Sequence, residues 1–397
     1  APARKGGSLC RSGCRKMKVL VVFGTRPEAV KCAPVVKELQ ARPEFEVLVC
    51  VTAQHRQILD QVLELVDIVP DFDLHLMRAK PTLTQLTTDV LTGLSEVIEQ
   101  TRPDRILVQG DTTTAMVAGL AGLYFKVPVG HIEAGLRTGD ILSPWPEEAN
   151  RRIVATLADL HFAPTSHARA NLVAENIPPD NIVVTGNTVI DALYDIRRRL
   201  DAIRFTNTAL ESIFERLEQT NRRLILLTFH RREKWGDGVS DVCRIARAVA
   251  DRGDVQIVYP VHPNPHVRVP VQAALSGHDG ISLIEPLDYL SFVDLLGRCD
   301  LILSDSGGLQ EEEAALSKPL LVLRDKTERP EGIAAGSARL VGTDPAHVLA
   351  EVERLLDDPA ACEAMSSARN PYGDGHAAKR IVATIGEHGG IASMEAR

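Results

Sequence analysis

The chain has 397 residues, 44% apolar and 25% charged, the balance of a water-soluble globular protein long enough for two domains. A formal charge of −8 argues against a general nucleic-acid binder, which would present a basic face. It leaves room for an anionic small ligand held locally by a few Arg side chains and helix N-termini.

Residues 1–16, APARKGGSLCRSGCRK, are basic and Gly/Ser-rich and lack the apolar core of a signal peptide; they read as a disordered leader. Nowhere does an apolar run approach the length that spans a bilayer. Lys18–Phe23 is a continuous apolar run ending at Gly24, the pattern of a buried parallel strand. The turn GTRPE leads into a helix from Pro27 to Gln40, with proline at its tolerated first position. A strand at Glu46–Val51, a helix over Gln54–Leu65 and a long helix near Leu83–Gln100 follow. Strands at Arg105–Val108, Pro128–Ile132, His161–Ala163 and Asn181–Val184 come next, with helices between. The pattern restarts at Arg223–Phe229 and continues through Gln256–Tyr259, Ser282–Ile284, Leu301–Leu303 and Leu320–Leu323. Late helices are expected at Pro345–Leu356, Pro359–Met365 and His376–Gly386. Strands alternating with helices give parallel sheets, so the fold class is α/β: two doubly wound Rossmann-like domains facing a central cleft. The expected boundaries are 17–190 and 191–375. Seven cysteines, sparse and odd in number, read as reduced apolar residues of a cytoplasmic protein. Cys10 and Cys14 have no partners at metal spacing, so no zinc site is assigned.

Candidate chemistry gathers just past the strand ends, where parallel sheets bind ligands. Asp111 follows RILVQG, Glu133 ends PVGHIEA, and Glu147 begins a helix after Pro-Trp-Pro. Convergent acids suit proton transfer at a sugar carbon or oxygen. The plainer reading makes Asp111 a helix cap and pairs Glu133 with Arg137 and Glu147 with Arg151. Arg26, in the first turn, suits a diphosphate, although no G-x-G-x-x-G fingerprint is present; alternatively it pairs with Glu28 on the surface. His230 and Arg231 occupy the matching loop of the second half. Ser306, Gly307 and Gly308 open the helix GLQEEEAAL, which reads as a nucleotide-diphosphate seat with Glu312 accepting ribose hydroxyls. Glu311 and Glu313 are expected on a solvated acidic face. Arg329 arrives at the same edge. The loops around Gln54, His55, Gln57 and His262 read as accessory.

Together, GTRPEAVK, TAQHRQILDQVL, QGDTTT, HIEAGLRTGD, PWPEEANR, VTGNTVID, FHRRE, DSGGLQEE and RDKTERPEG closely resemble the non-hydrolysing UDP-N-acetylglucosamine 2-epimerases, over Lys18 to about Gly386. Hydrolysing relatives typically carry Ala-Asp where this chain has Pro27-Glu28. The resemblance implies the GT-B architecture, with a C-terminal helix at about 376–390 crossing back to the first domain. It implies reversible conversion of UDP-GlcNAc to UDP-ManNAc for cell-surface polysaccharide synthesis, without metal or nicotinamide cofactor, by a homodimer. Asp111, Glu133, Glu147 and His230 match the family's catalytic residues. Arg26, Lys31, Phe292, Ser306, Gly307, Gly308, Glu312 and Arg329 match its UDP-binding residues. Gln54, His55, Gln57, Lys80, Arg231 and His262 match a second UDP-GlcNAc site that activates bacterial members, many of which have Arg in place of Lys80.

The chemistry agrees with the residues. A sugar C2–H is too weakly acidic for a carboxylate until the C1–O bond to UDP breaks. Elimination to 2-acetamidoglucal, then re-addition with the proton delivered to the other face, requires acids on both sides of the ring and cations on the departing diphosphate. The alternatives are a hydrolysing epimerase, a GT-B glycosyltransferase, and a nucleotide-sugar-binding regulator.

Overall fold

Every side chain of Val19–Phe23 is fully buried, which a strand achieves only when both faces of its sheet are covered. The computed structural model describes residues 15–52, 56–76, 82–202, 207–229 and 237–388. Within them this strand, β1 (Met17–Phe23), lies in a seven-stranded sheet. Val19, Val21 and Phe23 join one core with the helices Arg26–Gln40 and Ala377–His388. Leu20 and Val22 join the opposite core with Leu83–Thr101 and Thr113–Tyr124. One apolar run thus serves two layers because successive side chains alternate faces.

The other strands of this sheet are β2 (Phe45–Val51), β3 (Phe72–Asp73), β4 (Arg105–Gln109), β5 (Val129–Ile132), β6 (Leu160–Ala163) and β7 (Ile182–Val184). They pair in parallel in the order β3-β2-β1-β4-β5-β6-β7. A second parallel sheet contains β8 (Arg223–Thr228), β9 (Val255–Pro260), β10 (Ile281–Ile284), β11 (Leu301–Ser304), β12 (Leu320–Val322) and β13 (Ala338–Leu340). Its order is β10-β9-β8-β11-β12-β13. Ile225 and Leu227 of β8 face one core and Leu224 and Leu226 the other, repeating the β1 pattern. The two doubly wound sheets expected from the sequence are present. The edge strands β3 and β13 add two and three residues, too few to register as apolar runs.

Strand order reverses between β1 and β4 and again between β8 and β11. At such switch points neighbouring loops diverge and open a crevice at the carboxyl ends. The chain also crosses between the sheets twice, side by side. Asn187 donates its backbone N–H to the Tyr372 carbonyl at 2.7 Å, and a Cβ on Gly186 would meet the Cα of Gly373 at 3.2 Å. Asp191 accepts from the N–H groups of Ala377 and Ala378, capping the last helix. Ile381, Val382 and Ile385 then bury completely in the core beside β1, each contributing about 1.5–3 kcal/mol.

Candidate active site

Between the two sheets lies a cavity of about 570 Å³, within the range of small-ligand pockets. Its walls come from loops at both switch points: Thr25–Glu28 after β1, Gln109–Thr112 after β4, and Ser306 with Gly308 after β11.

Glu28 is buried and joins two of these loops. Its carboxylate accepts from the backbone N–H groups of Gly24 (3.0 Å) and Thr25 (2.8 Å) and from the Thr112 hydroxyl (2.6 Å). The surface pairing of Arg26 with Glu28 is therefore replaced; Arg26 is exposed and lines the cavity. Gly24 is required by space, since a Cβ there would stand 2.1 Å from Thr52 Oγ1.

Asp111 is held by the helix Glu147–Leu157. Arg151 donates to its Oδ2 from Nε (2.9 Å) and Nη2 (2.7 Å), and Asn150 donates to its backbone carbonyl (2.9 Å). Such a two-pronged guanidinium contact fixes direction as well as charge. His131 Nε2 lies 2.7 Å from the Gly110 carbonyl. Burial pushes this imidazole down to about 3, so it is neutral with its proton on Nε2. The cap of the following helix is Thr112, which accepts from Ala115 N–H.

Glu133 has φ 64°, a left-handed backbone unusual for a side chain this size and typical of residues held by their surroundings. Lys31 donates to its carboxylate at 2.5 Å and Asn187 at 2.9 Å; Gln109 donates as well. Arg329 Nη2 stands 3.8 Å away. Burial alone would raise this carboxyl, but Lys31 and Arg329 outweigh it and hold it down at about 2. It is an ionised carboxylate at neutral pH. The plainer pairing with Arg137 is overturned, because Arg137 binds Glu175 through both prongs.

On the opposite wall, the helix Leu309–Ala315 corrects one expectation. Glu311 and Glu313 are fully buried, and Glu312 is nearly so. Consecutive helical residues diverge by about 100°, and each glutamate finds a different partner. Glu311 pairs with Lys31 (3.3 Å) and with Arg329 Nε (2.8 Å). Glu312 faces the cavity and accepts from the Tyr289 hydroxyl at 2.9 Å. Glu313 meets Ser337 at 3.2 Å. Burial pushes Glu312 up to about 7 and Glu313 well above the usual carboxylate range. Gly307 and Gly308 differ as well. A Cβ on Gly307 would stand 2.7 Å from Arg329 Nη1, whereas one on Gly308 would meet open space.

A family model described as UDP-N-acetylglucosamine 2-epimerase matches residues 37–386. The UDP-N-acetylglucosamine 2-epimerase of Salmonella typhimurium is 52% identical over 375 residues, covering 93% of this chain and 98% of its own. That of Escherichia coli K12 is 50% identical over 370 residues, covering 93% and 98%. A crystal structure of the Neisseria meningitidis UDP-GlcNAc 2-epimerase bound to UDP-GlcNAc superposes with TM-score 0.86 at 47% identity, covering 94% of this chain and 100% of that one. The chain belongs to the UDP-N-acetylglucosamine 2-epimerase family.

Of the residues singled out in this epimerase-family sequence, Arg26, Lys31, Asp111 and Glu133 line the cavity from the first domain. His262, Phe292, Ser306, Gly308, Glu312 and Arg329 line it from the second. His262, matched by resemblance to the activator site, thus shares the cavity of the substrate-matched residues. Gly307 is outside the lining but packs against Arg329. Glu147 is half-buried at the start of its helix and is also outside the lining. Its expected partner Arg151 binds Asp111 and Glu148 instead. His230, Arg231, Gln54, His55 and Lys80 lie outside the described residues, as does the side chain of Gln57. Arg151, Gln109, Asn187 and Tyr289 were not assigned to the site from sequence; the first three stand in motifs quoted for the resemblance, and Tyr289 stands outside them. Gln109 and Asn187 had a signal in their position at or near a strand end, while the partners of Arg151 and Tyr289 were not visible from spacing. Among the described residues, no group of three or more His, Cys, Asp or Glu could hold a metal ion, and no helix is long and apolar enough to cross a membrane.

Proposed function

We propose that this chain interconverts UDP-GlcNAc and UDP-ManNAc by anti elimination of UDP and re-addition to the trapped glycal, without net hydrolysis. The observation that carries this reading is one cavity lined by Arg26, Asp111 and Glu133 from the first domain and by Ser306, Glu312 and Arg329 from the second. Acids face the space for a sugar, and cations and hydroxyl acceptors face the space for a nucleoside diphosphate.

In this reading the C1–O electrons leave with UDP, stabilised by Arg26, Lys31 and Arg329 with Ser306, Gly307 and Gly308 at the loop after β11. Glu312 accepts ribose hydroxyls, and Phe292 packs by the uracil. A carboxylate takes the C2 proton, and an acid on the other face returns one. Asp111 and Glu133 are the acid–base pair, with Glu147 and His230 completing the set. The ionised state of Glu133 is the form that accepts a proton. Residues 17–190, with the last helix, and 191–375 act as two lobes whose closure keeps the glycal in. Gln54, His55, Gln57, Lys80, Arg231 and His262 are assigned to a second, activating UDP-GlcNAc. The working form is a cytoplasmic homodimer feeding ManNAc units into cell-surface polysaccharide.

The test is proton NMR of UDP-GlcNAc incubated with the pure protein in deuterated buffer, with neither metal nor acceptor added. UDP-ManNAc should appear, and both epimers should gain deuterium at C2. Full retention of the C2 hydrogen excludes the mechanism; free ManNAc with UDP marks a hydrolase, and inertness without an acceptor marks a glycosyltransferase.

A further inference from the structure

Of the buried cations lining the cleft, Arg151 is committed to Asp111 and Glu148, and Lys31 and Arg329 face each other across the two domains, each already paired with carboxylates. Lys31 sits between Glu133 (2.5 Å) and Glu311 (3.3 Å). Arg329 gives Nε to Glu311 (2.8 Å) and Nη1 to Glu328 (2.7 Å), leaving Nη2 toward Glu133. Glu311 alone among these carboxylates touches both cations within hydrogen-bond distance, and Lys31 and Arg329 come from different domains. Its side chain is 1% exposed.

Two buried anions differ in what would remain if the cations turned elsewhere. Glu133 also accepts from Gln109 and Asn187. Among the described residues, the side-chain partners of Glu311 are Lys31 and Arg329. A carboxylate sustained only by two cations lies behind the cavity lining, on donors that line the cavity and that a diphosphate is expected to use, so the two anions compete for them.

Resting on the proposed nucleotide site, the geometry points to Glu311 as an internal counter-anion: a positioning residue that occupies Lys31 and Arg329 while the cleft lacks a nucleotide and yields them to the incoming diphosphate. It holds the two donors aimed, adding its charge to that of Glu133 and Glu328, and it lowers the affinity for an anion that the donors would have without it. Buried cations stripped of a counter-charge are costly to the free protein. A bound diphosphate restores the balance, so linkage converts the lost stability into tighter binding.

The experiment is titration of UDP into the full-length protein by calorimetry, with thermal melts in the presence and absence of UDP. In Glu311→Gln the amide oxygen can still accept from Arg329 Nε, so the guanidinium keeps its aim while the charge is removed. The variant should melt lower without UDP, gain more from saturating UDP than wild type does, and bind UDP roughly tenfold more tightly. Glu311→Asp, too short to span both cations, should show the same changes at smaller size and serves if the Gln variant does not fold. Glu313→Gln, on the same helix but facing away, should leave UDP affinity unchanged. Weaker or unaltered UDP binding in both Glu311 variants overturns the inference. Wild-type protein that fails to bind UDP refutes instead the nucleotide site on which it rests.

Discussion

The two sheet edges that meet at the cleft have the same construction and opposite chemistry. β1, β4 and β5 present Arg26, Asp111 and Glu133 in their following loops; β8, β11 and β12 lead to Ser306 and Arg329 in the corresponding loops. On the first edge, each acid is fastened by neutral donors and cations: Glu28 by backbone amides, Asp111 by Arg151, Glu133 by Lys31, Gln109 and Asn187. On the second, carboxylates such as Glu312 and Glu313 are buried with a single hydroxyl partner and drift toward the neutral form. The same topology thus holds Glu133 down as an ionised carboxylate at one edge and leaves Glu312 poised near 7 at the other. Strand order locates a site, and the partners supplied from distant elements decide its charge state.

The largest effect should come from breaking the acids of the first edge. Asp111→Asn or Glu133→Gln is expected to cut turnover about 100-fold or more while UDP binding in calorimetry is retained or improved. A variant with normal turnover removes its residue from the acid–base pair. Next, Arg329→Met takes one guanidinium from both Glu311 and Glu328, leaving Lys31 on the first and Arg324 on the second. Urea denaturation should show a loss of about 3–5 kcal/mol; an unchanged midpoint and slope would mean the buried pairs are worth little. Arg151→Lys keeps the charge but loses the two-pronged grip on Asp111, so kcat should fall about tenfold with KM nearly constant.

Two smaller effects probe Glu312, at the cavity, and Glu313, buried behind it. Burial pushes Glu312 up to about 7, and the ribose-accepting role proposed for it is best served by the ionised form. UDP affinity should therefore decline as pH falls below about 7, by at most about tenfold per unit, and Glu312→Gln should flatten that profile. Glu313 has a folded value raised above the ordinary 4.5. Its stability contribution is whole below 4.5 and shrinks as pH rises toward the folded value. Wild type should lose on the order of 1 kcal/mol between about pH 5 and pH 8 that Glu313→Gln does not, as read from paired urea melts.

These contrasts also mark how far a sequence can be read. Apolar runs such as KVLVVF and RLILLTF located both sheets, and the residues following them located the cleft. Strand ends converge by topology, so a local pattern was enough. Glu311 and Glu313 were misread because charges in a cluster ordinarily face water. Only the fold brings Lys31 to Glu311 from 280 positions away. Likewise Arg151 was four residues from Glu147, a helical spacing that suggests a pair, yet Asp111 lies closer in space.

The doubled crossing at Gly186 and Gly373 constrains how such a cleft can work. Two adjacent chain segments, pinned together by the Asn187–Tyr372 bond, behave as a door hung on neighbouring knuckles. Swinging about that seam needs small backbone rotations, whereas sliding would tear the last helix from the layer beneath it. Closure of the kind proposed for these lobes would turn about that seam, and groups at its far side would travel farthest.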